Sequence, residues 1–157
     1  MNKTIRKILM GLLGILILIQ LIRIDKTMPE TDPSKDLIAI LQPPEALAQI
    51  IETACYDCHS HETTYPWYSN IAPISFWLKG HINEARHHLN FSEWGNYTNK
   101  RAHHKLEECY EEVEEGHMPL PSYTWTHEEA RLSSDQRESL ANWFKGQMPK
   151  YGNFEQE

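Results

Sequence analysis

The 157-residue chain has no internal repeat, no low-complexity tract and no long alternation of polar and apolar residues of the kind that marks a half-exposed strand. It has no glycine-rich phosphate loop, no nucleophile paired with a base and no paired-carboxylate signature, so the residues point to a carrier rather than an enzyme, with no catalytic residue to name. Basic charge is missing where a nucleic-acid surface would need it. The net charge is −7, and residues 1–28 carry Lys3, Arg6, Lys7, Arg23 and Lys26 against Asp25, a balance of +4 that leaves −11 for residues 29–157. An acidic domain argues against nucleic acid as a partner and fits docking to a redox protein with a basic surface.

What is present begins with an apolar run. Ile8 to Ile22 contains no charge, and with Ile5 and Ile24 the stretch reaches the roughly 20 residues that span a bilayer. Arg6, Lys7 and Arg23 flank it, where long side chains can reach the headgroups. A cleaved signal would need small residues just beyond the run, and Gln20-Leu21-Ile22-Arg23-Ile24-Asp25 has no small-x-small pair. No cysteine follows closely enough for a lipid anchor. The expected organisation is a cytoplasmic N-terminus over 1–7, a transmembrane signal anchor over 8–24, a polar linker over 25–36 and one domain over 37–157. The basic residues before the run favour a cytoplasmic N-terminus. The domain is then expected in the periplasm, held to the inner membrane by a single pass.

That domain reads as all-α. Pro44 to Ala54 opens with Pro then Glu, as a helix first turn should, and Leu47, Ile50, Ile51 and Ala54 make its stripe. Pro73 to Leu89 places Ile74, Leu78, His81 and Ala85 along one face. Arg101 to Glu115 buries Leu106, Cys109, Tyr110 and Val113 with acids opposite and stops at Gly116. A last helix is capped by Ser133 or Ser134, turns Leu140, Trp143 and Phe144 inward, and ends at Gly146.

The chemistry sits in Cys55-Tyr56-Asp57-Cys58-His59. A C-x-x-C-H segment is the attachment pattern of a c-type haem: two thiols one helical turn apart reach the two vinyl groups, and the adjacent His59 supplies the proximal iron nitrogen. The expected fold is thus a small cytochrome c-like helical domain around one covalent haem c. A structural zinc site would want a second spaced ligand pair, which is not well placed, although His81 with His87 or His88 is conceivable. A thioredoxin-like pair would need a βαβ setting. Cys109 reads as a small buried hydrophobe.

For the distal iron position the candidates are a Met or a second His. Met118 lies in Gly116-His117-Met118-Pro119-Leu120-Pro121, a stiff loop between two helices, and is the expected ligand; His81 is the alternative. His61, His103, His104 and His127 look like surface or capping residues, and at most one of His87 and His88 can face the site. The aromatics Tyr65, Trp67, Tyr68, Phe76 and Trp77 are expected to wall the pocket. An open or displaceable sixth position would instead suit a peroxide-handling enzyme or a sensor.

CYDCHS (55–60), YPWYSNIAPISFWL (65–78), LNFSEWGNY (89–97) and KLEECYEEVEEGHMPLPSYTWTHEEARLS (105–133) together resemble the haem-binding domain family of membrane-anchored c-type cytochromes, widespread in bacteria and notably in the Bacteroidetes group. The start ending in IQLIRID looks like that family's as well. The resemblance covers roughly Leu37 to Phe144 and implies Cys55, Cys58 and His59 as attachment residues and proximal ligand. It maps an acid-Met-Pro element onto Gly116-His117-Met118-Pro119. Here His117 stands where the pattern implies Glu, which sets a second candidate ligand beside Met118.

The motif makes a direct prediction. Haem-peroxidase staining should mark the band of the full chain on a denaturing gel, and Cys55→Ser combined with Cys58→Ser should abolish the stain. An unstained wild-type band from cells that mature c-type haem would overturn the assignment.

Overall fold

Residues 2–152 are described in the computed structural model, and among them every regular element is helical. The first is α1 (Lys3–Leu18), prolonged by a 3₁₀ turn over Ile19–Leu21. At about 1.5 Å per α-helical and about 2 Å per 3₁₀ residue, the two reach about 30 Å, the hydrocarbon thickness of a bilayer. Its mean hydropathy is 1.9 and none of it is buried against the domain, so α1 is long and apolar enough to cross a membrane. The helix stops at Leu21, short of the expected Ile24, because Gln20 is engaged elsewhere. Its side chain accepts from Ala72 N at 3.0 Å and donates to Ala72 O at 2.8 Å, and the chain turns extended at Ile22.

The segment expected as a linker has no regular element before Pro33, yet it touches the domain: Lys26 Nζ donates to Ser69 Oγ at 2.7 Å and to Asn70 Oδ1 at 2.8 Å. The short helix α2 (Leu37–Leu41) follows, N-capped by Asp36 and buried through Leu37 and Leu41. Asp36 also accepts a 2.6 Å bond from Tyr56 OH, which ties α2 to the haem-motif helix. That helix starts as α3 (Glu45–Ile51), widens into a π-helical stretch over Glu52–Tyr56, and closes as the single α turn α4 (Asp57–His59). It therefore runs through the motif instead of ending at Ala54. Ser60 stops it, with Oγ donating to Tyr56 O at 2.8 Å and accepting from Glu62 N at 2.9 Å.

The remaining helices are α5 (Ile74–His88), α6 (Asn99–Glu114), α7 (Pro121–Thr124) and α8 (Ser134–Gln147). Thr98 caps α6, and Ser133 with Gln136 forms a reciprocal capping box on α8. Contrary to expectation, Gly146 does not end α8. The helix passes it to Gln147, and a 3₁₀ turn through Pro149 leads to Tyr151, whose hydroxyl accepts a 2.7 Å bond from Trp94 Nε1. The 3₁₀ turn Phe91–Asn96 packs on α2 so closely that a Cβ at Gly95 would come within 3.1 Å of Ile40 and the Lys35 backbone. Gly116, at φ +80°, supplies the left-handed residue that ends α6.

Two packing groups result. α6 lies along α8 and shares a core with α2, α3 and Trp94, made of Leu37, Leu41, Ile51, Phe91, Trp94, Leu106, Val113, Leu140 and Phe144. α5 packs instead on α4 and on the Trp67–Asn70 turn, and its buried residues Leu78 and Ile82 lie outside that core. A cavity takes residues from both groups. Leu106, fully buried in α6, does not itself line it. Leu106→Ala should lower the unfolding free energy by about 2–5 kcal/mol in a urea titration, the range for deleting a buried leucine side chain, while leaving haem content per folded molecule unchanged.

Candidate functional site

The cavity has a volume of about 780 Å³, within the range of about 300–1,000 Å³ for small-molecule and cofactor sites. One end is the motif helix, contributing Ala54, Cys55, Cys58 and His59. α5 contributes Phe76, Trp77, His81 and His88; α6 contributes Cys109 and Val113; the loop after α6 brings Met118 and Leu120; α8 brings Leu140 and Phe144. Cys55, Cys58, His59, Met118 and His81, singled out from the sequence, thus meet in one cavity despite lying up to 63 positions apart in the chain.

His59 is held by its backbone surroundings. Its Nδ1 lies 3.1 Å from Leu89 O. A carbonyl can only accept, so Nδ1 carries the proton and Nε2 keeps its lone pair, the arrangement found in metal-ligating histidines. Burial lowers the His59 pKa, against the opposing pull of the Leu89 carbonyl, and so favours the neutral ring. Phe91, two residues past Leu89, flanks the imidazole at 6.0 Å and stacks on Tyr56 at 5.6 Å. The segment 89–91 therefore orients His59, a role that nothing in its own residue types announces.

The two thiols are partly buried and unpaired. Burial, then the charge of Cys58, pushes the Cys55 thiol up to about 12. Burial, then the Asp57 carboxylate, pushes Cys58 up to about 11. Both stay protonated at neutral pH, the opposite of a thioredoxin-type thiolate. Burial likewise raises the pKa of Cys109, which packs in the core and on the cavity wall as a small apolar group. Among the described residues no three His, Cys, Asp or Glu side chains converge as a metal cage, so the zinc reading lacks its ligands.

Asp57, inside the motif, was not singled out from the sequence, yet it joins three segments. Its Oδ1 accepts from Thr64 N at 2.7 Å, its backbone O accepts from Thr63 Oγ1 at 2.6 Å, and its Oδ2 accepts from Tyr123 OH at 2.8 Å. The last bond fastens α7, and with it the loop that carries Met118, to the haem-motif helix. Burial and that carboxylate raise the Tyr123 pKa, so the phenol remains a donor. A second unforeseen residue, Arg137 of α8, steadies the same loop: Nη1 donates to Met118 O at 2.9 Å and to Val113 O at 2.6 Å. Met118 N adds a 3.0 Å bond to Glu112 O.

The histidines sort clearly. His117 points away from the cavity, 62% exposed, with Nδ1 at 3.3 Å from Glu115 and 3.5 Å from Glu112. His81 lines the cavity with Nδ1 bonded to Trp77 O at 3.0 Å, which leaves its Nε2 lone pair free. Of the adjacent pair only His88 reaches the lining. His61 is not a surface residue: its side chain is 12% exposed, and Nε2 lies 2.7 Å from Asn90 Nδ2. His127 is partly buried and stacks on Tyr123 at 4.2 Å. The expected aromatic wall is partial, because Phe76 and Trp77 line the cavity whereas Tyr65, Trp67 and Tyr68 do not.

Three features fit a haem: apolar walls for the macrocycle, two thiols one turn apart, and an imidazole with a free Nε2 lone pair at the same end. Tyr123→Phe tests the Asp57 bridge. It should cost about 1–3 kcal/mol of unfolding free energy, as loss of a bond to a charged acceptor does, and should weaken the hold on the Met118 loop. No curated protein and no solved structure matches the chain. A family model described as haem-binding domain matches residues 14–146, most of the sequence, and the protein therefore belongs to the haem-binding domain family.

Proposed function

We propose that this haem-binding domain carries a single covalent haem c and passes electrons at the periplasmic face of the inner membrane. The observation that carries the reading is the meeting of Cys55, Cys58, His59 and Met118 in one apolar cavity. Each thiol would add across one vinyl group: sulfur bonds to carbon, the thiol proton goes to the neighbouring vinyl carbon, and no electron is gained or lost. His59 would supply the proximal nitrogen through Nε2, kept in place by the bond from its Nδ1–H to Leu89 O. The Met118 thioether would fill the sixth position. A bound haem supplies a one-electron couple at its iron, and a Met/His pair raises its potential relative to two histidines.

The other residues prepare the cavity. Phe76, Trp77, Leu120, Leu140 and Phe144 exclude water from it. Arg137, Glu112 and Tyr123 hold the Met118 loop, so the thioether is placed before it is needed. Glu84, Glu108 and Glu112 border the cavity and give the acidic domain a negative rim, suited to a redox partner with a basic docking surface. α1 is the single-pass anchor, with Lys3, Arg6 and Lys7 on the cytoplasmic side.

Spectra of the purified full chain test the ligand set. The oxidised protein should show the far-red charge-transfer band of Met-ligated ferric haem. Met118→Ala should lose that band while keeping its haem, and the reduced variant should bind carbon monoxide faster than wild type. If the band persists in Met118→Ala, Met118 is not the ligand. A wild-type protein without the band whose spectrum changes in His81→Ala would move the assignment to His81, the other candidate with a free ring nitrogen in the cavity. Rapid carbon monoxide binding by the wild-type reduced protein would favour a sensor or peroxide-handling role.

A further inference from the structure

The expected linker would let the domain stand away from the bilayer, but the end of α1 is fastened to one edge of it. Besides the paired Gln20–Ala72 bonds, Arg23 Nη1 donates to Asn70 O at 2.7 Å, and Lys26 Nζ bonds Ser69 Oγ and Asn70 Oδ1. All of these partners lie between residues 69 and 72, in the turn that leads into α5. The same edge carries large apolar side chains in water: Trp67 is 75% exposed, Ile71 40% and Ile74 45%. None of these three lines the cavity, so a bound haem would not cover them. The hydrogen bond between Tyr68 OH and Thr126 Oγ1, 3.2 Å long, brings the neighbouring Trp125, 80% exposed, toward this edge.

We propose that Trp67, Ile71 and Ile74 enter the interfacial layer of the membrane that α1 spans, so that the domain lies on the bilayer instead of hanging from a tether; this rests on the reading of α1 as the anchor. Three arguments favour lipid as the occupant. Ile71 lies between Asn70 and Ala72, the groups that bind the end of the span, and Trp67 and Ile74 lie within three residues of them, so a membrane crossed by α1 reaches the patch without any linker length. Trp flanked by aliphatic residues is the composition that settles at the headgroup level. Arg23 and Lys26 lie beside the patch, with Lys79 Nζ 3.5 Å from Tyr65 OH and Lys26 Nζ 5.2 Å from the Tyr65 ring. These cations match anionic headgroups on a domain that is otherwise strongly acidic. The consequence concerns the cavity. Phe76 and Trp77 lie two and three residues after Ile74 on α5 and line it, so the α5 wall of the haem site would face the membrane surface.

Spin labels read this in the full-length holoprotein reconstituted into vesicles of phosphatidylcholine and phosphatidylglycerol. Labels would be placed through Trp67→Cys, Ile71→Cys, Glu111→Cys on the exposed face of α6, and Leu13→Cys inside α1; the wild-type holoprotein treated alike is the background that accounts for Cys55, Cys58 and the buried Cys109. Collision rates with oxygen, which concentrates in lipid, are compared with those of a water-soluble nickel chelate. The expected result is an oxygen-to-nickel ratio several-fold higher at positions 67 and 71 than at 111. A ratio at 67 and 71 equal to that at 111 overturns the proposal, because the patch is then in water. Low rates with both reagents at 67 and 71 also overturn it, because the patch then lies against protein, a partner or a second copy. Position 13 separates the two readings: protection from nickel there keeps the anchor even when the patch fails, and nickel access there removes the anchor and the proposal together.

Discussion

The architecture is governed by an apolar cavity of about 780 Å³ that takes its walls from both packing groups. Its walls are mostly apolar, and leaving them in water forgoes the roughly 25 cal/mol per Å² that covering apolar surface contributes. The cavity walls need an apolar occupant. Helices that would otherwise close on one another, α5 against α6 and α8, stand apart and give their inward residues to it. The π-helical stretch Glu52–Tyr56 belongs to the same arrangement. It widens the helix immediately before the motif and resets the direction in which Cys58 and His59 leave it.

Around this space the polar contacts have a division of labour. Leu89 O fixes the tautomer and tilt of His59, Asp57 links the motif helix to α7, and Arg137 links α8 to the Met118 loop. Each joins segments distant in the chain, and each ends on a backbone group or a partly buried carboxylate. A residue of the right shape but without the donor would leave that acceptor unpaired, which is costlier than never having built the bond. The motif helix and the Met118 loop, which both contribute to the cavity lining, are therefore coupled through α7 and not only through whatever occupies the cavity.

This division explains what could be read in advance. The all-α character and the positions of α5, α6 and α8 were legible because their signals are local: a 3.6-residue period and a capping serine. The Met118 loop was legible through Gly116 and the two flanking prolines. Asp57 and Arg137 were not, since a side chain that bonds a partner 66 or 19 positions away leaves no periodic trace. His61 was misread as a surface residue because its burial depends on Asn90 and Ser92 folding over it. Gly146 was overvalued as a stop: in α8 nothing crowds it and no positive φ is required, so the helix continues until Pro149. Trp67 was assigned to the pocket by its nearness to the motif in sequence, whereas the turn Trp67–Asn70 directs it outward.

Charge completes the argument about orientation. The +4 of residues 1–28 is not confined to the far side of the apolar run: Arg23 and Lys26 lie at its near end and are bound to the domain. The acidic excess of −11 lies in the remaining chain, much of it along α6 from Glu107 to Glu115. A molecule with Arg23, Lys26 and Lys79 near the junction of α1 with the domain and a run of six glutamates from Glu107 to Glu115 carries a dipole. On an anionic membrane that dipole favours the cationic edge down and α6 toward solvent. On the proposed orientation a basic partner would be attracted to the α6 side, where Glu108 and Glu112 border the cavity, while the α5 wall would stay with the lipid. Anchoring through α1 would confine such an encounter to the membrane surface and raise the effective concentration of partners there; the charge distribution would then select which face they meet.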